Sequence, residues 1–231
     1  MSTSVKEASK TFYLFDLDRT LFDTVKAANQ MVGLIEQRSD ARAQQTVERI
    51  RELFESGVSF AMRDVMIEVL GAQATQEIHT QFLEQAVAHE LLLPGAQALM
   101  DFASTHSVGW GIVTYGSEEA QRVKLQAAKL IDEPFLVTQE RDKGLLMQAW
   151  QQANGTFLLP HELGGHTIDD LVFVDDHLYS FDSLPNTVSG YWVSPEVSVL
   201  DAVEYPASVV RVETISEVIT HERARRNIDE A

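Results

Sequence analysis

The second half of the sequence alternates short apolar runs with helix-like segments, and this alternation constrains the fold more than any other feature. After Pro94-Gly95, runs typical of strands recur at residues 108–114, 134–139, 171–176, 190–194 and 208–213. Amphipathic stretches with helical spacing precede or separate the first three of these runs. Such alternation predicts a mostly parallel sheet that helices cover on both faces. We therefore expect a three-layer, Rossmann-like α/β core.

One further strand is predicted near the N-terminus. The apolar run FYLF, residues 12–15, has the character of a buried strand and leads directly into the polar stretch DLDRT. Two carboxylates, Asp16 and Asp18, therefore follow the first strand, with Thr20 two positions later. Residues 1–10 before this strand indicate a loose tail.

The segment between this strand and Pro94-Gly95 has a different composition. Residues 24–90 are rich in Ala, Gln, Glu, Arg and Leu, with apolar residues at helical spacing. The pattern predicts three or four helices, with breaks near Ser39-Asp40, Gly57 and Gly71. We expect residues 1–23 and 91–231 to form the core and residues 24–90 to form an inserted helical domain.

Composition excludes several classes of function. The 231 residues include no cysteine, so disulfides, thiolate metal sites and cysteine nucleophiles are excluded. A net charge of −17 repels phosphate backbones, so we expect no nucleic-acid partner. The sequence has no apolar run of membrane-spanning length and no secretory h-region. We expect a cytoplasmic monomer or homodimer, and the C-terminal HERARRNIDEA indicates a solvated helix end.

The carboxyl ends of the predicted strands carry the residues that could perform chemistry. Ligands of an open parallel sheet bind at these ends, where Asp16, Asp18, Thr114, Asp175 and Asp176 lie. Carboxylates brought this close together repel one another unless a cation lies among them, and Mg²⁺ is the usual ion beside a phosphate. The acidic pair at residues 169–170 lies at the opposite end of its strand and is discounted.

A lysine could supply further positive charge at the same place. Lys143 lies at a loop-to-helix junction just after the strand at residues 134–139, from which its ammonium could reach the cleft. Lys124 and Lys129 are alternatives, but both lie in an amphipathic helix, where lysines are more often on the surface.

These residues resemble the motifs of the haloacid dehalogenase-like superfamily, in its phosphatase branch. DLDRTL is similar to the DxDxT motif, Thr114 to the hydroxyl residue that ends the second strand, Lys143 to the third motif, and the pair at residues 175–176 to the fourth. The order of the motifs agrees, and the resemblance spans residues 11–215. The inserted helices resemble a C1-type cap, which would close over the site and exclude water.

The resemblance implies a role for each matching residue. Asp16 would be the nucleophile that forms an aspartyl-phosphate, and Asp18 would be the general acid and then the base. Thr114 would bind phosphoryl oxygens, and Lys143 would neutralise charge on the nucleophile and the phosphate. Mg²⁺ would be held by Asp16, the backbone carbonyl of Asp18 and Asp175, with Asp176 as a supporting ligand. Apart from the resemblance, we also expect Arg19 and Tyr115 to contact the substrate, together with Thr114 and Lys143.

The sequence departs from the family pattern at two positions. Arg19 stands where the family usually has Gly, and Gly144 follows Lys143 where many sugar-phosphate phosphatases have Pro. We expect a Mg²⁺-dependent phosphatase that acts on small phosphorylated metabolites. A phosphomutase, a non-catalytic regulatory module and a dehalogenase remain alternatives, although the last does not need the second acid, Asp18.

Overall fold

The computed structural model describes residues 10–56, 60–87, 90–194 and 205–228. Residues 1–9 of the predicted tail and the predicted break near Gly57 lie outside these ranges. Among the described helices, none has both the length and the apolar composition needed to cross a membrane.

Six parallel strands form the central sheet, and a short antiparallel pair lies apart from it. The strands are β1 Thr11–Phe15, β2 Gly109–Tyr115, β3 Phe135–Thr138, β4 Phe157–Leu158, β5 Thr167–Ile168, β6 Asp170–Asp175, β7 Val188–Val193 and β8 Val209–Val212. The sheet has the order β3-β2-β1-β6-β7-β8, and every neighbouring pair is parallel. The predicted Rossmann-like fold class is therefore confirmed.

Eight α-helices accompany the strands in the described residues. They are α1 Thr24–Glu36, α2 Ala41–Ser56, α3 Met62–Leu70, α4 Ala72–Gln85, α5 Ala96–His106, α6 Glu118–Ala127, α7 Lys143–Trp150 and α8 Ile215–Arg226. The inserted segment is helical, as expected, and the predicted breaks near residues 39–40 and 71 separate α1 from α2 and α3 from α4. Gly71 has φ 89°, a left-handed conformation that glycine adopts readily.

The chain divides into two compact units. The first comprises Met1–Leu21, Pro94–Tyr115 and Glu133–Ala231, so it contains the whole sheet. The second comprises Phe22–Leu93 and Gly116–Asp132, so it contains α1 to α4 together with α6. The predicted domain limits at residues 23 and 91 stay a prediction.

The apolar sequence of β1 explains its place near the centre of the sheet. All five of its residues are buried, and it pairs with β2 on one side and β6 on the other. A strand that is covered on both faces needs a continuous apolar run rather than an alternating one. Because β1 lies near the centre of the sheet, Asp16, the first residue after it, lies at the carboxyl end of a central strand.

A small hairpin between α7 and β6 has no counterpart in the sequence prediction. Strands β4 and β5 have two residues each, and a single 3-10 turn, His161–Leu163, lies in the loop between them. Gly164 and Gly165 then reverse the chain with φ 101° and 62°. Leu163 is fully buried, so this hairpin adds to the core of the first unit.

The C-terminal helix differs from the prediction of a solvated end. Glu222, within the HERARR stretch, is completely buried in α8. Its carboxylate accepts hydrogen bonds from the hydroxyls of Tyr13 and Tyr191, each at 2.7 Å, and from the guanidinium of Arg225. The prediction was wrong for Glu222 alone, because its carboxylate can be buried where two hydroxyls and a guanidinium donate to it; most other described residues of the stretch are exposed or partly exposed.

Candidate active site

The topology brings the acidic strand ends together. The strand order reverses at β1, which lies between β2 and β6, and such a reversal opens a crevice at the carboxyl ends of the strands. Phe15 pairs with Val174, and the amide of Asp16 donates to the carbonyl of Val174 at 2.9 Å. The residues that follow β1 therefore lie beside those that end β6.

Three carboxylates form the centre of the site. Asp16, Asp175 and Asp176 each offer an oxygen, and these atoms all lie within 4.8 Å of one another. Asp175 is fully buried and Asp16 is 4% exposed. Their shared burial makes mutual repulsion strong, because little water screens the charges.

Lys143 is the cation that the structure places among them. Its Nζ lies 2.5 Å from Asp16 Oδ1 and 2.7 Å from Asp175 Oδ2, and the residue is 3% exposed. Burial opposes its positive charge, but Asp16 and Asp175 outweigh that effect and raise the pKa of Lys143 above its ordinary value. The ammonium of Lys143 therefore bridges two of the acids, which favour its charged form.

One ammonium does not balance this cluster. Burial raises the pKa of Asp16 well above its usual range; Lys143 opposes the rise, and Asp175, Asp18 and Asp176 add to it. Burial and Asp175 likewise raise the pKa of Asp176 to about 7, against the influence of Arg19 and Lys143. Because the carboxylates exceed the positive charge among them, a divalent cation with a preference for oxygen ligands fits this donor set.

The two acids at the end of β6 have different contacts. Asp175 accepts from Lys143 through Oδ2 and from the amide of His177 through Oδ1, the latter at 2.7 Å. The buried oxygens of Asp176 have no hydrogen-bond partner among the described residues, although Arg19 Nε lies 3.2 Å from its Oδ2. This geometry favours Asp176 as a direct metal ligand, whereas the resemblance implies Asp175, and both assignments stay predictions.

Trp192 fixes the turn that carries these acids. Its indole Nε1–H, on the adjacent strand β7, donates to the backbone carbonyl of Asp176 at 3.0 Å. Sequence reasoning did not single out Trp192, because the contact depends on the β6–β7 register rather than on a local motif.

Two threonines have the character of ligand-binding hydroxyls. Thr114, near the end of β2, and Thr20, after β1, are both fully buried. Their Oγ1 atoms have no hydrogen-bond partner within the described part of the chain. A buried hydroxyl without a partner is costly, so each of the two would be stabilised by a group that offers it an acceptor oxygen. Thr114 was predicted at this site; Thr20 was noted in the motif without a role.

The remaining predicted residues lie around the acid cluster. Asp18 is half-buried after β1, and Tyr115 is the half-buried last residue of β2. Arg19 has φ 62°, and its side chain is 62% exposed. The left-handed conformation costs about 1–2 kcal/mol for a residue with a Cβ, which explains why glycine suits this position.

Gly144 positions the helix that carries Lys143. A Cβ at Gly144 would lie 2.5 Å from the carbonyl carbon of Ser183 and from the amide nitrogen of Leu184. The Asp142 side chain accepts from the amides of Gly144 at 3.1 Å and Ser183 at 3.2 Å, so it holds the two segments together. A proline at residue 144 would also have a Cβ that meets this backbone, which explains why glycine follows Lys143 here.

The substitution Gly144→Ala should lower the free energy of unfolding by about 1–3 kcal/mol, because the new methyl group meets rigid backbone. Denaturant unfolding measures this change. Gly33→Ala is the matched control, since a Cβ at Gly33 in α1 has no atom within 4 Å and alanine favours a helix. If the Gly144→Ala protein were as stable as the wild type, residue 144 would not be packed closely against the backbone of Ser183 and Leu184.

The family assignment follows from a sequence match over more than half of the chain. The model of the haloacid dehalogenase-like hydrolases matches residues 13–142, which include most of β1, the inserted helices, β2 and β3. The chain belongs to this family. The match ends just before Lys143. The evidence that Lys143, Asp175 and Asp176 belong to the same site as Asp16 therefore comes from the structure and not from the family match.

Solved structures of the same fold agree with this assignment. A putative haloacid dehalogenase-like hydrolase from Burkholderia xenovorans LB400 superposes with a TM-score of 0.66 at 16% identity, over 96% of this chain and 100% of the other. The putative HAD-hydrolase YfnB from Bacillus subtilis, bound to magnesium, gives 0.54 at 16% identity, over 93% and 99%. At these identities the likeness establishes the fold of a hydrolase family but no particular reaction.

The other matches include dehalogenases. A 2-haloacid dehalogenase from Pseudomonas syringae pv. Tomato DC3000 gives a TM-score of 0.55 at 20% identity, over 94% of this chain and 99% of the other. No curated protein matches the sequence significantly. The choice between phosphate and halide chemistry therefore depends on the site itself.

Proposed function

We propose that this hydrolase is a Mg²⁺-dependent phosphatase that acts on small phosphomonoesters through an aspartyl-phosphate on Asp16. The observation that carries the proposal is the acid cluster, in which Lys143 bridges Asp16 and Asp175 while the buried oxygens of Asp176 have no hydrogen bond among the described residues. This arrangement suits a divalent cation beside a phosphoryl group.

The residues that would hold Mg²⁺ are Asp16 and Asp176, and the resemblance adds the backbone carbonyl of Asp18. When bound, the ion neutralises negative charge on the phosphoryl oxygens and on the carboxylates. Asp175 keeps a supporting role, because Lys143 and the amide of His177 already engage its two oxygens.

Asp16 has one oxygen available for attack. Lys143 engages Oδ1, so Oδ2 is the atom that would form the bond to phosphorus while the ester P–O bond breaks. The hydroxyls of Thr114 and Thr20 would donate to phosphoryl oxygens and so hold the group in line. Lys143 and a bound divalent cation would together favour the ionised form of Asp16, against the burial and the neighbouring acids that raise its pKa.

Asp18 would move the protons. It would donate a proton to the leaving oxygen in the first step and then accept one from the water that attacks phosphorus. The bond between Asp16 Oδ2 and phosphorus breaks in this second step, and inorganic phosphate leaves. The half-burial of Asp18 is compatible with contact to both the leaving group and water.

Dehalogenation is the second candidate, and the similar dehalogenase structures support it at the level of the fold. That reaction needs an Asp nucleophile but neither a metal nor a second acid. Asp18 and the excess of carboxylates around Lys143 favour phosphate chemistry, and magnesium bound to YfnB is compatible with it.

A phosphomutase would use the same residues but would transfer the phosphoryl group to an acceptor other than water. We propose that the substrate is a small phosphorylated metabolite in the cytoplasm and that the protein has no nucleic-acid partner.

Metal removal tests the proposal. With p-nitrophenyl phosphate as substrate, chelation should reduce turnover by about 100-fold or more, since the ion supplies several kcal/mol of charge stabilisation. Added Mg²⁺ should restore turnover. The same preparation should release no chloride from 2-chloropropionate. Full phosphatase activity after exhaustive chelation, or chloride release without metal, would contradict the proposal.

A further inference from the structure

An arginine between two tyrosines borders the acid cluster and is not used by the mechanism above. We call Tyr115, Arg141 and Tyr179 the arginine–tyrosine cluster. Tyr115 ends β2, Arg141 lies in the loop between β3 and α7, and Tyr179 belongs to a 3-10 turn, Leu178–Phe181, after β6. Tyr115 directly follows Thr114, Arg141 precedes Lys143 by two positions, and Tyr179 follows Asp175 by four positions. Each member of the cluster is therefore close in sequence to a residue of the site.

The guanidinium of Arg141 is exposed and lies over one of the two tyrosine rings. The Arg141 guanidinium carbon lies 4.7 Å from the centroid of the Tyr115 ring, within the range of a cation–π contact. Tyr115 and, to a smaller extent, Tyr179 raise the pKa of Arg141 above its ordinary value. Among the described residues no carboxylate forms an ion pair with Arg141, although the chain contains 35 acidic residues.

A chain of contacts joins this cluster to the acids. The imidazole of His177 stacks on the ring of Tyr179, with centroids 4.9 Å apart and planes at 15°. His177 Nε2 also lies 3.8 Å from Asp176 Oδ2. Burial raises the pKa of Tyr179, with a contribution from Asp175, while Arg141 and Lys143 lower it. Tyr179 therefore lies within the electrostatic influence of both the acid cluster and Arg141.

We propose that Arg141, which lies against the ring of Tyr115, binds a second anionic group of the substrate, so that the enzyme prefers phosphomonoesters that also carry a carboxylate or another phosphate. Guanidinium donors match both groups in a bidentate fork, and a protein of net charge −17 needs a local cation to attract such a substrate. Lys143 cannot serve this purpose, because Asp16 and Asp175 already engage it. The inference rests on the proposed phosphatase function.

Two pairs of substrates test the preference. Glycerol 3-phosphate and 3-phosphoglycerate differ by a carboxylate, while fructose 6-phosphate and fructose 1,6-bisphosphate differ by a phosphate. Phosphate release with Mg²⁺ gives kcat/KM for each, and we expect the more anionic member of at least one pair to be preferred by about tenfold or more. The pair that shows the larger ratio identifies the second group.

Variants of Arg141 then assign the preference to this residue. Arg141→Gln should bring the ratio close to one, mainly through a higher KM for the more anionic substrate, and Arg141→Lys should retain part of it because charge remains without the fork. Arg49→Gln is the matched control, since Arg49 lies exposed on α2 and pairs with Glu52. The control should keep the wild-type ratio.

The outcomes separate this inference from the function on which it rests. If wild-type protein with Mg²⁺ hydrolyses p-nitrophenyl phosphate but shows ratios near one for both pairs, the inference fails while the phosphatase proposal stands. An Arg141→Gln protein with an unchanged preference also overturns it. If p-nitrophenyl phosphate is not hydrolysed at all, the phosphatase proposal fails and the inference fails with it.

Discussion

Asp16→Asn should lower phosphatase turnover by on the order of 10⁴-fold or more, because the amide oxygen is a far weaker nucleophile than the carboxylate it replaces. No phosphoenzyme should form, since the bond to phosphorus has no attacking atom. Phosphate release from p-nitrophenyl phosphate measures the rate, and intact-protein mass spectrometry measures the adduct. Near-normal turnover would show that Asp16 is not the nucleophile.

The matched variant Asp18→Asn separates the two aspartates. It retains the nucleophile but removes the proposed acid and base, an effect worth roughly 10²–10⁴-fold. A substrate with a good leaving group needs little protonation, so the first step should still occur while hydrolysis of the aspartyl-phosphate lags. A burst without turnover, with the adduct trapped on Asp16, is the expected result.

Asp169→Asn provides the control for this pair. Asp169 is an exposed acid at the amino end of β6, where its carboxylate accepts from the amide of Lys10 at 3.0 Å. This variant should keep wild-type turnover. Unfolding curves for all three variants check that the loss at Asp16 is chemical rather than structural, because Lys143 stays buried and keeps Asp175 as a partner.

The sequence predicted the core and the position of the site because both depend on simple patterns. A fully buried strand needs a continuous apolar run, so residues 12–15 could be assigned before the structure was known. In a parallel sheet, polar residues that end different strands must lie at one edge, so Asp16 and Thr114 could be placed together from their positions alone. Lys143 followed from its place at the start of a helix after the third strand.

The remaining features depend on contacts that no local pattern encodes. Strands of two residues, as in β4 and β5, are too short to show a period. Which of Asp175 and Asp176 has carboxylate oxygens without a hydrogen bond depends on which carboxylate Lys143 and the amide of His177 contact. Glu222 lies in a segment whose composition is typical of a solvated helix, and only its tyrosine and arginine partners explain its burial.

Glu222→Ala should therefore lower the free energy of unfolding by about 3–5 kcal/mol, the cost of removing one partner from a buried charged network. The loss would leave the hydroxyls of Tyr13 and Tyr191 without their acceptor and Arg225 with only Asp170, to which it donates at 2.8 Å. Denaturant unfolding, followed by fluorescence, measures the change. It should be visible even in a domain of ordinary stability, about 5–15 kcal/mol.

Glu222→Gln and Glu48→Ala complete the experiment. Glutamine keeps the shape and one acceptor oxygen but not the charge that faces Arg225, so its loss of stability should lie between those of the wild type and Glu222→Ala. Glu48 lies exposed on α2, and its replacement should change stability by no more than about 0.5 kcal/mol. A loss of less than about 1 kcal/mol in the free energy of unfolding of Glu222→Ala would contradict this prediction. It would show that the hydrogen bonds of Glu222 to Tyr13 and Tyr191 do not anchor α8 to the sheet.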